Sequence, residues 1–301
     1  MKSGMSMRVY LPVVVLFGAS VLWGLTWLPL KAINAMGIDG IALIFAAYAI
    51  LSLTLSPLLL KQFSSWKEHK NVMLLIALFG GGANLAFTYA LINGEVIRVM
   101  VLFYLLPVWG VVGGRLFLKE DIDRWRYLGI FLAISGAFFI LGGFEVLDAQ
   151  PSWIDLIALV SGLFFALNNL LFRAAQSIPV SSKIGSMFVG CFTLAGLLLL
   201  AGIEQFPSSV TENAWWMLVL YALFWLLLAN IGSQWSVTHM EAGRSSIIII
   251  LELITAVISA TLIAGETMSP LEYTGGALII TAAFIEAIRT KDDEIPKTII
   301  E

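Results

Sequence analysis

Apolar residues in this chain come in long unbroken runs, not in the alternation of a half-exposed strand or the sparse spacing of a surface helix. Reading from one charged or Gly/Pro-rich break to the next predicts spans near 11–31, 41–60, 72–92, 97–118, 126–143, 153–173, 184–203, 214–237, 245–264 and 271–288. Each is close to the ~20 residues that a helix needs to cross hydrocarbon. A segment in lipid finds no water for its backbone, so each run must bond its own N–H and C=O groups as a helix. The pattern predicts an all-α membrane protein with ten transmembrane helices. The first run, Leu11 to Leu30, follows Lys2 and Arg8 as a signal peptide would. It is too long for one, holds Trp23 and Trp27, and lacks a small-residue cleavage site, so it is expected to remain as the first span.

Composition removes most other classes. Hydrophobic residues make up 59% of the 301 and charged residues 12%, against roughly 25% charged in soluble domains. With the N-terminus inside, the inner segments hold Lys2, Arg8, Lys61, Lys67, Lys70, Arg115, Lys119, Arg124, Arg126, Arg173, Lys183, Arg244, Arg289, Lys291 and Lys297, and the outer ones only Lys31 and Arg98. That split follows the positive-inside rule and sets both termini in the cytoplasm. The net charge of −3, without a basic block, gives no footprint for nucleic acid. One cysteine, Cys191, excludes an internal disulfide and is read as a buried small residue. His69 and His239 stand apart, so neither a metal site nor a cofactor is expected.

The chain also repeats itself. Sliding it by 146 residues pairs 83–138 with 229–284 without a gap, and 14 of the 56 pairs are identical. Asn84 meets Asn230, Glu95 meets Glu241, Arg98 meets Arg244, Glu120 meets Glu266, Tyr127 meets Tyr273 and Gly129 meets Gly275. The first span is similar to the sixth at a shift of 142, which sets Thr26 on Asn168 and Lys31 on Arg173. The reading is two halves of five spans, 1–148 and 149–290, followed by a cytoplasmic tail at 291–301. An odd span count turns the second half upside down, and inverted halves that exchange conformations open to opposite sides in turn.

These residues carry a family resemblance. Phe103-Tyr-Leu-Leu-Pro107, then Leu118-Lys-Glu120, Tyr127-Leu-Gly129 and Gly136, resemble the EamA repeat of the drug/metabolite transporter superfamily, and Ala264-Gly-Glu266 with Tyr273-Thr-Gly275 is similar. The resemblance covers essentially the whole chain. It implies a ten-helix carrier of the bacterial inner membrane with a central cavity, exporting amino acids, drugs or other metabolites. The Tyr-Leu-Leu-Pro stretch is similar to that of bacterial aromatic amino acid exporters.

Polar groups at membrane depth are costly and tend to face a cavity or another helix. On the ninth span Ser245, Glu252, Thr255 and Ser259 share one face. Glu252 is the one acid near the middle of a span, suited to bind a substrate ammonium or to carry a proton; the alternative is a carboxyl bonded to a neighbouring helix. Asn84 and Thr88 on span three match Asn230 and Gln234 on span eight, and either bind substrate or join helices. Asn168 on span six adds another amide. Trp23, Trp27 and Tyr104 are candidates for an apolar pocket, against the tendency of Trp and Tyr to sit at the membrane interface. Arg98 and Arg244, beside Glu95 and Glu241, either form local ion pairs at helix starts or gate the pathway. Glu120 and Glu266 are expected to brace turns, and Pro107 to kink span four. Its counterpart Leu253 lacks that feature.

The pattern favours a secondary transporter of a small metabolite by alternating access, against a proton-coupled carrier of drugs or amines and, from another class, a membrane-embedded enzyme. The enzyme has little support, since neither a Gly-x-Ser-x-Gly elbow nor paired intramembrane aspartates occur. The expected partners are a small molecule and the lipid bilayer, and the chain suffices as a monomer or a homodimer.

Overall fold

The computed structural model describes residues 2–38, 40–105, 108–109, 112, 124–140, 143–144, 152–175, 177–238 and 242–289. Among them the chain is helical and carries no strand: α1 Lys2–Gly24, α2 Trp27–Ala35, α3 Gly40–Lys61, α4 Phe63–Glu68, α5 Lys70–Asn93, α6 Val96–Phe103, α7 Arg124–Ile140, α8 Trp153–Ala174, α9 Val180–Leu200, α10 Glu212–Leu220, α11 Leu227–Thr238, α12 Ala242–Ser259 and α13 Pro270–Arg289. Six stretches are long and apolar enough to cross a membrane, namely Leu11–Ala35, Gly40–Lys61, Lys70–Asn93, Trp153–Phe172, Val180–Leu200 and Glu212–Ser236. The apolar parts Tyr127–Ile140 and Leu251–Ala264 are shorter helices. The expected fourth span is described at 97–105, 108–109 and 112.

Two expected spans are not uniform helices. The first is interrupted at Leu25 and Thr26, between α1 and α2. Pro29 explains the break: it has no N–H to give to Leu25, so a continuous α-helix would lack that bond. The eighth runs through a π-helical turn at Tyr221–Leu226, and a second such turn, Ala260–Ala264, ends the helix that begins as α12.

The chain forms two compact units. One comprises Met1–Thr26, Glu95–Ser152 and Leu228–Ile295. In it α1 lies along α12, α7 along α13, and α12 also meets α6 and α13. Helices α7 and α13 touch backbone to backbone, because a Cβ on Gly136 would stand 2.6 Å from the Gly275 carbonyl oxygen. The other comprises Trp27–Gly94 and Trp153–Leu227. Its centre is α5, packed against α8 and α9, with α3 against both α9 and α5. The Gly80-Gly-Gly82 triplet makes this possible: a Cβ on Gly81 would meet the backbone of Gly190 and Cys191, and one on Gly82 would lie 2.7 Å from the Phe164 ring.

Polar contacts at the helix ends follow one device. Helix α9 is followed by Gly202 at φ 73°, and Glu204 then accepts from the Ile41 N–H at 2.9 Å and the Ala42 N–H at 3.2 Å, at the start of α3. In the other unit Gly265, at φ 70°, ends the π turn, and Glu266 accepts from the Val96 and Ile97 N–H groups at 2.9 and 3.0 Å, at the start of α6. A left-handed glycine turns the chain at a helix C-terminus, and a carboxylate just beyond it meets the free N–H groups and positive dipole end of another helix. Glu266 thus holds a distant helix in addition to closing its own turn. Glu95, the N-cap residue of α6, makes no side-chain cap bond. Glu266→Ala is expected to cost about 1 kcal/mol, or a drop of about 2 °C in the thermal midpoint of the detergent-solubilised protein. An unchanged midpoint would show that water serves α6 equally well.

Candidate functional site

The residues singled out in the sequence divide between the two units. Trp23, Arg98, Tyr104, Asn230, Gln234, Glu252, Thr255 and Glu266 belong to the first unit, and Trp27, Asn84, Thr88 and Asn168 to the second. Trp23 and Trp27, one helical turn apart in the sequence, are separated by the break at Leu25 and Thr26. Pro107 and Glu120 lie outside the described residues, as does the side chain of Arg244, on α12.

In the first unit, polar groups gather around Glu252. Its side chain is buried, at 9% exposure, on the face of α12 that meets α1. The close approach depends on Gly24, the last residue of α1: a Cβ there would fall 2.5 Å from the Glu252 carbonyl oxygen and 2.7 Å from the Cβ of Thr255. Tyr104, at the C-terminal end of α6, completes the group. Its hydroxyl donates to the Ile249 carbonyl at 2.9 Å, one turn before Leu253 on α12. The Glu252 carboxyl lies close to the same hydroxyl. A carboxyl and a phenol therefore lie together at α12, near the close approach of Gly24. Ser259, a further turn along the same face, is buried and bonds back to the Ala256 carbonyl at 3.1 Å. Asn230 is buried on α11 and Gln234 half-buried a turn later; Gly232 between them lies against Val15 and Ala19 of α1.

Arg98 lies near Glu95, Ile97, Ile140, Glu266, Thr267, Met268 and Glu272, which line a small recess beside the start of α6. The recess sits at the capped helix end.

The second unit holds a different polar cluster. Asn84 is buried with its Oδ1 accepting from the Tyr48 hydroxyl at 2.7 Å and its Nδ2 donating to the Gly80 carbonyl at 2.8 Å. Thr88 is buried one turn on and bonds the same Tyr48 hydroxyl. The pair therefore joins α5 to α3 through Tyr48. Asn168 differs: it is fully buried, wedged against Gly80 and Met187, and neither its Oδ1 nor its Nδ2 has a hydrogen-bond partner. Trp27 is buried at the start of α2, with the Lys31 ammonium 5.8 Å from its ring centre and bonded to the Gly94 carbonyl at 3.1 Å.

Three groups escaped the sequence reading. Tyr48 carries no signal of its own, an aromatic in an apolar run. Glu204 is legible only as an acid just past a glycine at a helix end. Lys183 is buried near the start of α9 and donates to the Phe172 and Ala175 carbonyls at 3.1 and 3.0 Å, so a cation serves the free C-terminal carbonyls of α8.

Comparison with known proteins agrees with the helical architecture. The chain matches the EamA-like transporter family over residues 11–142 and 152–286. The uncharacterized transporter YoaV of Bacillus subtilis (strain 168) is 24% identical over 287 residues, covering 90% of this chain and 94% of that protein. YetK of the same organism, likewise an uncharacterized transporter, is 31% identical over 185 residues, 59% of this chain and 55% of its own. Protein RarD of Salmonella typhimurium is 24% identical over 210 residues, 67% of this chain and 68% of that protein. A solved crystal structure covers 93% of this chain and 99% of its own at a TM-score of 0.54 and 15% identity, a likeness of fold alone.

Proposed function

Because the chain belongs to the EamA-like transporter family, we propose that this membrane transporter is a secondary exporter of a small metabolite, an amino acid or related amine, in which Glu252 carries the proton that drives export. The observation that carries this reading is the Glu252 carboxyl itself, buried on the apolar part of α12 beside Tyr104 and the close approach of α1 at Gly24. An ionisable group is costly at that depth and is retained where it does work. Proton coupling needs a carboxyl that takes up a proton on one side and releases it on the other.

The architecture proposed is ten spans in two inverted repeats, 1–148 and 149–290, with alternating access between them. The two family matches, 11–142 and 152–286, support that division. Contacts within each unit support the alternation of spans. Lys31 with Gly94, Glu204 with Ile41, and Glu266 with Val96 join chain ends assigned outside. Gln62 with Ser181 and Ser182, and Lys183 with Ala175, join ends assigned inside. In this reading both termini are cytoplasmic, the membrane is the bacterial cytoplasmic membrane, and within the first unit Trp23, Tyr104, Asn230, Gln234, Glu252 and Thr255 serve the substrate pathway.

Reconstitution tests it. Proteoliposomes with an imposed proton gradient are loaded with a panel of amino acids, amines and cationic drugs, and efflux is compared for the parent and Glu252→Gln. The expected result is gradient-driven efflux of at least one amino acid or amine that Glu252→Gln abolishes while exchange without a gradient persists. Efflux with the same pH dependence in Glu252→Gln would sink the proton role. Efflux of hydrophobic cations alone would favour a drug carrier.

A further inference from the structure

We propose that the connection between α3 and α5, from Lys61 to Lys70, lies in the surface of the bilayer and binds the headgroups of anionic phospholipids through Lys61, Lys67 and Lys70, with Phe63 set among the acyl chains. Its position follows from the helices it joins. Both α3, Gly40–Lys61, and α5, Lys70–Asn93, are long and apolar enough to cross a membrane. Each has a lysine at the end that meets the connection, where a long stem lets the ammonium reach the headgroups while the helix stays in lipid. Leu60 and Leu74, close to those lysines, are exposed, as side chains against lipid are. Eight residues separate Lys61 from Lys70, and six of them form α4, Phe63–Glu68. A connection that short, mostly wound into helix, stays at the level of the two helix ends.

The faces of α4 fit that position. Phe63, Trp66 and Lys67 fall three and four residues apart and share one face. Phe63 is exposed, and the Lys67 ammonium stands 5.3 Å from its ring centre. Ser64 and Glu68, four residues apart, take the opposite face. The acid is thus on the other side from the rings and the lysine. Such a division marks a helix that lies along a bilayer, with its rings at the acyl boundary and its cations at the phosphates. A phenyl ring bared to water is costly, and lipid removes that cost. Lys61, Lys67 and Lys70 are all exposed. Three ammonium groups against the one carboxylate of Glu68 make a surface complementary to lipids that carry net negative charge.

The segment is held in place by α9. Leu59, near the end of α3, packs on Gly185, where a Cβ would collide with it. Gln62 accepts from the Ser181 hydroxyl at 3.1 Å and from the Ser182 hydroxyl at 2.5 Å, both in the first turn of α9. Its own carbonyl accepts from the Trp66 N–H at 3.3 Å, at the start of α4. The backbone that carries the lysines is therefore already fixed, and lipid binding does not first have to order a loop.

The test uses the full chain in nanodiscs of equal parts phosphatidylglycerol and phosphatidylcholine. Native mass spectrometry counts the lipids that stay on the released protein. Phosphatidylglycerol is expected to be enriched among them. The enrichment should fall about fivefold for each of Lys61, Lys67 and Lys70 changed to glutamine, and fade as added salt screens charge. Lys291→Gln with Lys297→Gln, near the end of the chain, removes two charges elsewhere and should leave the enrichment unchanged. A fall per charge as large in that control reduces the effect to net charge and overturns the proposal, as does enrichment that survives the change of all three lysines. Depth is read from a nitrobenzoxadiazole label on Phe63→Cys, with the buried Cys191 out of reach of the reagent. Lipids spin-labelled high on the acyl chain should quench the label and aqueous iodide should not. A label open to iodide and unaffected by those lipids overturns the proposal and leaves this face to a soluble partner.

Discussion

Replacing Gly190 with leucine is expected to abolish the folded protein, the largest loss that any single substitution described here should cause. A side chain at Gly190 would run into the Ala77 backbone, with the Ala77 carbonyl carbon and Cα at 2.5 and 2.6 Å from the Cβ alone. Those atoms belong to the middle of α5 and cannot turn aside as a side chain can. Relief requires α5 and α9 to separate. In lipid, helix association rests on close packing of small residues, because lipid is as apolar as a leucine side chain. Separation would strip α5, the central helix of its unit, of one of its two principal neighbours. Overpacking commonly costs 1–3 kcal/mol where side chains can adjust, and here backbone meets backbone, so about 3 kcal/mol or more is expected. Gly18 is the control, since a Cβ there meets nothing within 4 Å. Size-exclusion profiles of detergent extracts should show Gly18→Leu monodisperse and Gly190→Leu lost to aggregate. A monodisperse Gly190→Leu with the parental midpoint would mean that the helices can part without penalty.

Such contacts explain what was legible in the sequence. Long apolar runs announce helices because lipid leaves the backbone no alternative, and the runs at 41–60 and 72–92 became helices at Gly40–Lys61 and Lys70–Asn93. The burial of Glu252 was legible too, since an acid in mid-run has nowhere polar to go. What the runs hide is any event that leaves hydropathy unchanged. The break at Leu25 and Thr26 depends on a single N–H missing at Pro29, and the π turn at Tyr221–Leu226 has no apolar signature at all. Long-range pairing is equally silent: Glu266 caps a helix about 170 residues earlier in the chain, and nothing near either residue points to the other. Glycine marked close approach at Gly80-Gly-Gly82, yet which helices meet there required the coordinates.

Two asparagines on neighbouring helices are expected to answer the same deletion with opposite signs. Asn84→Ala removes the acceptor of the buried Tyr48 hydroxyl and leaves that group without its 2.7 Å bond. A buried polar group that loses its partner costs about 1–3 kcal/mol, so the thermal midpoint of Asn84→Ala should fall by several degrees. Asn168→Ala removes a fully buried amide whose oxygen and nitrogen find no hydrogen-bond partner among the described residues. Here the deletion releases a desolvation penalty of about 1–3 kcal/mol and relieves the contact on Gly80, against a small loss of packing. Its midpoint should equal or exceed that of the parent. An amide kept at such a site is a stability cost that selection tolerates when the group acts elsewhere in the working cycle. The expectation is therefore coupled: Asn168→Ala should be at least as stable as the parent and slower in gradient-driven efflux. A less stable Asn168→Ala would show that the amide is bonded after all, and a stable variant with undiminished efflux would remove Asn168 from the transport pathway.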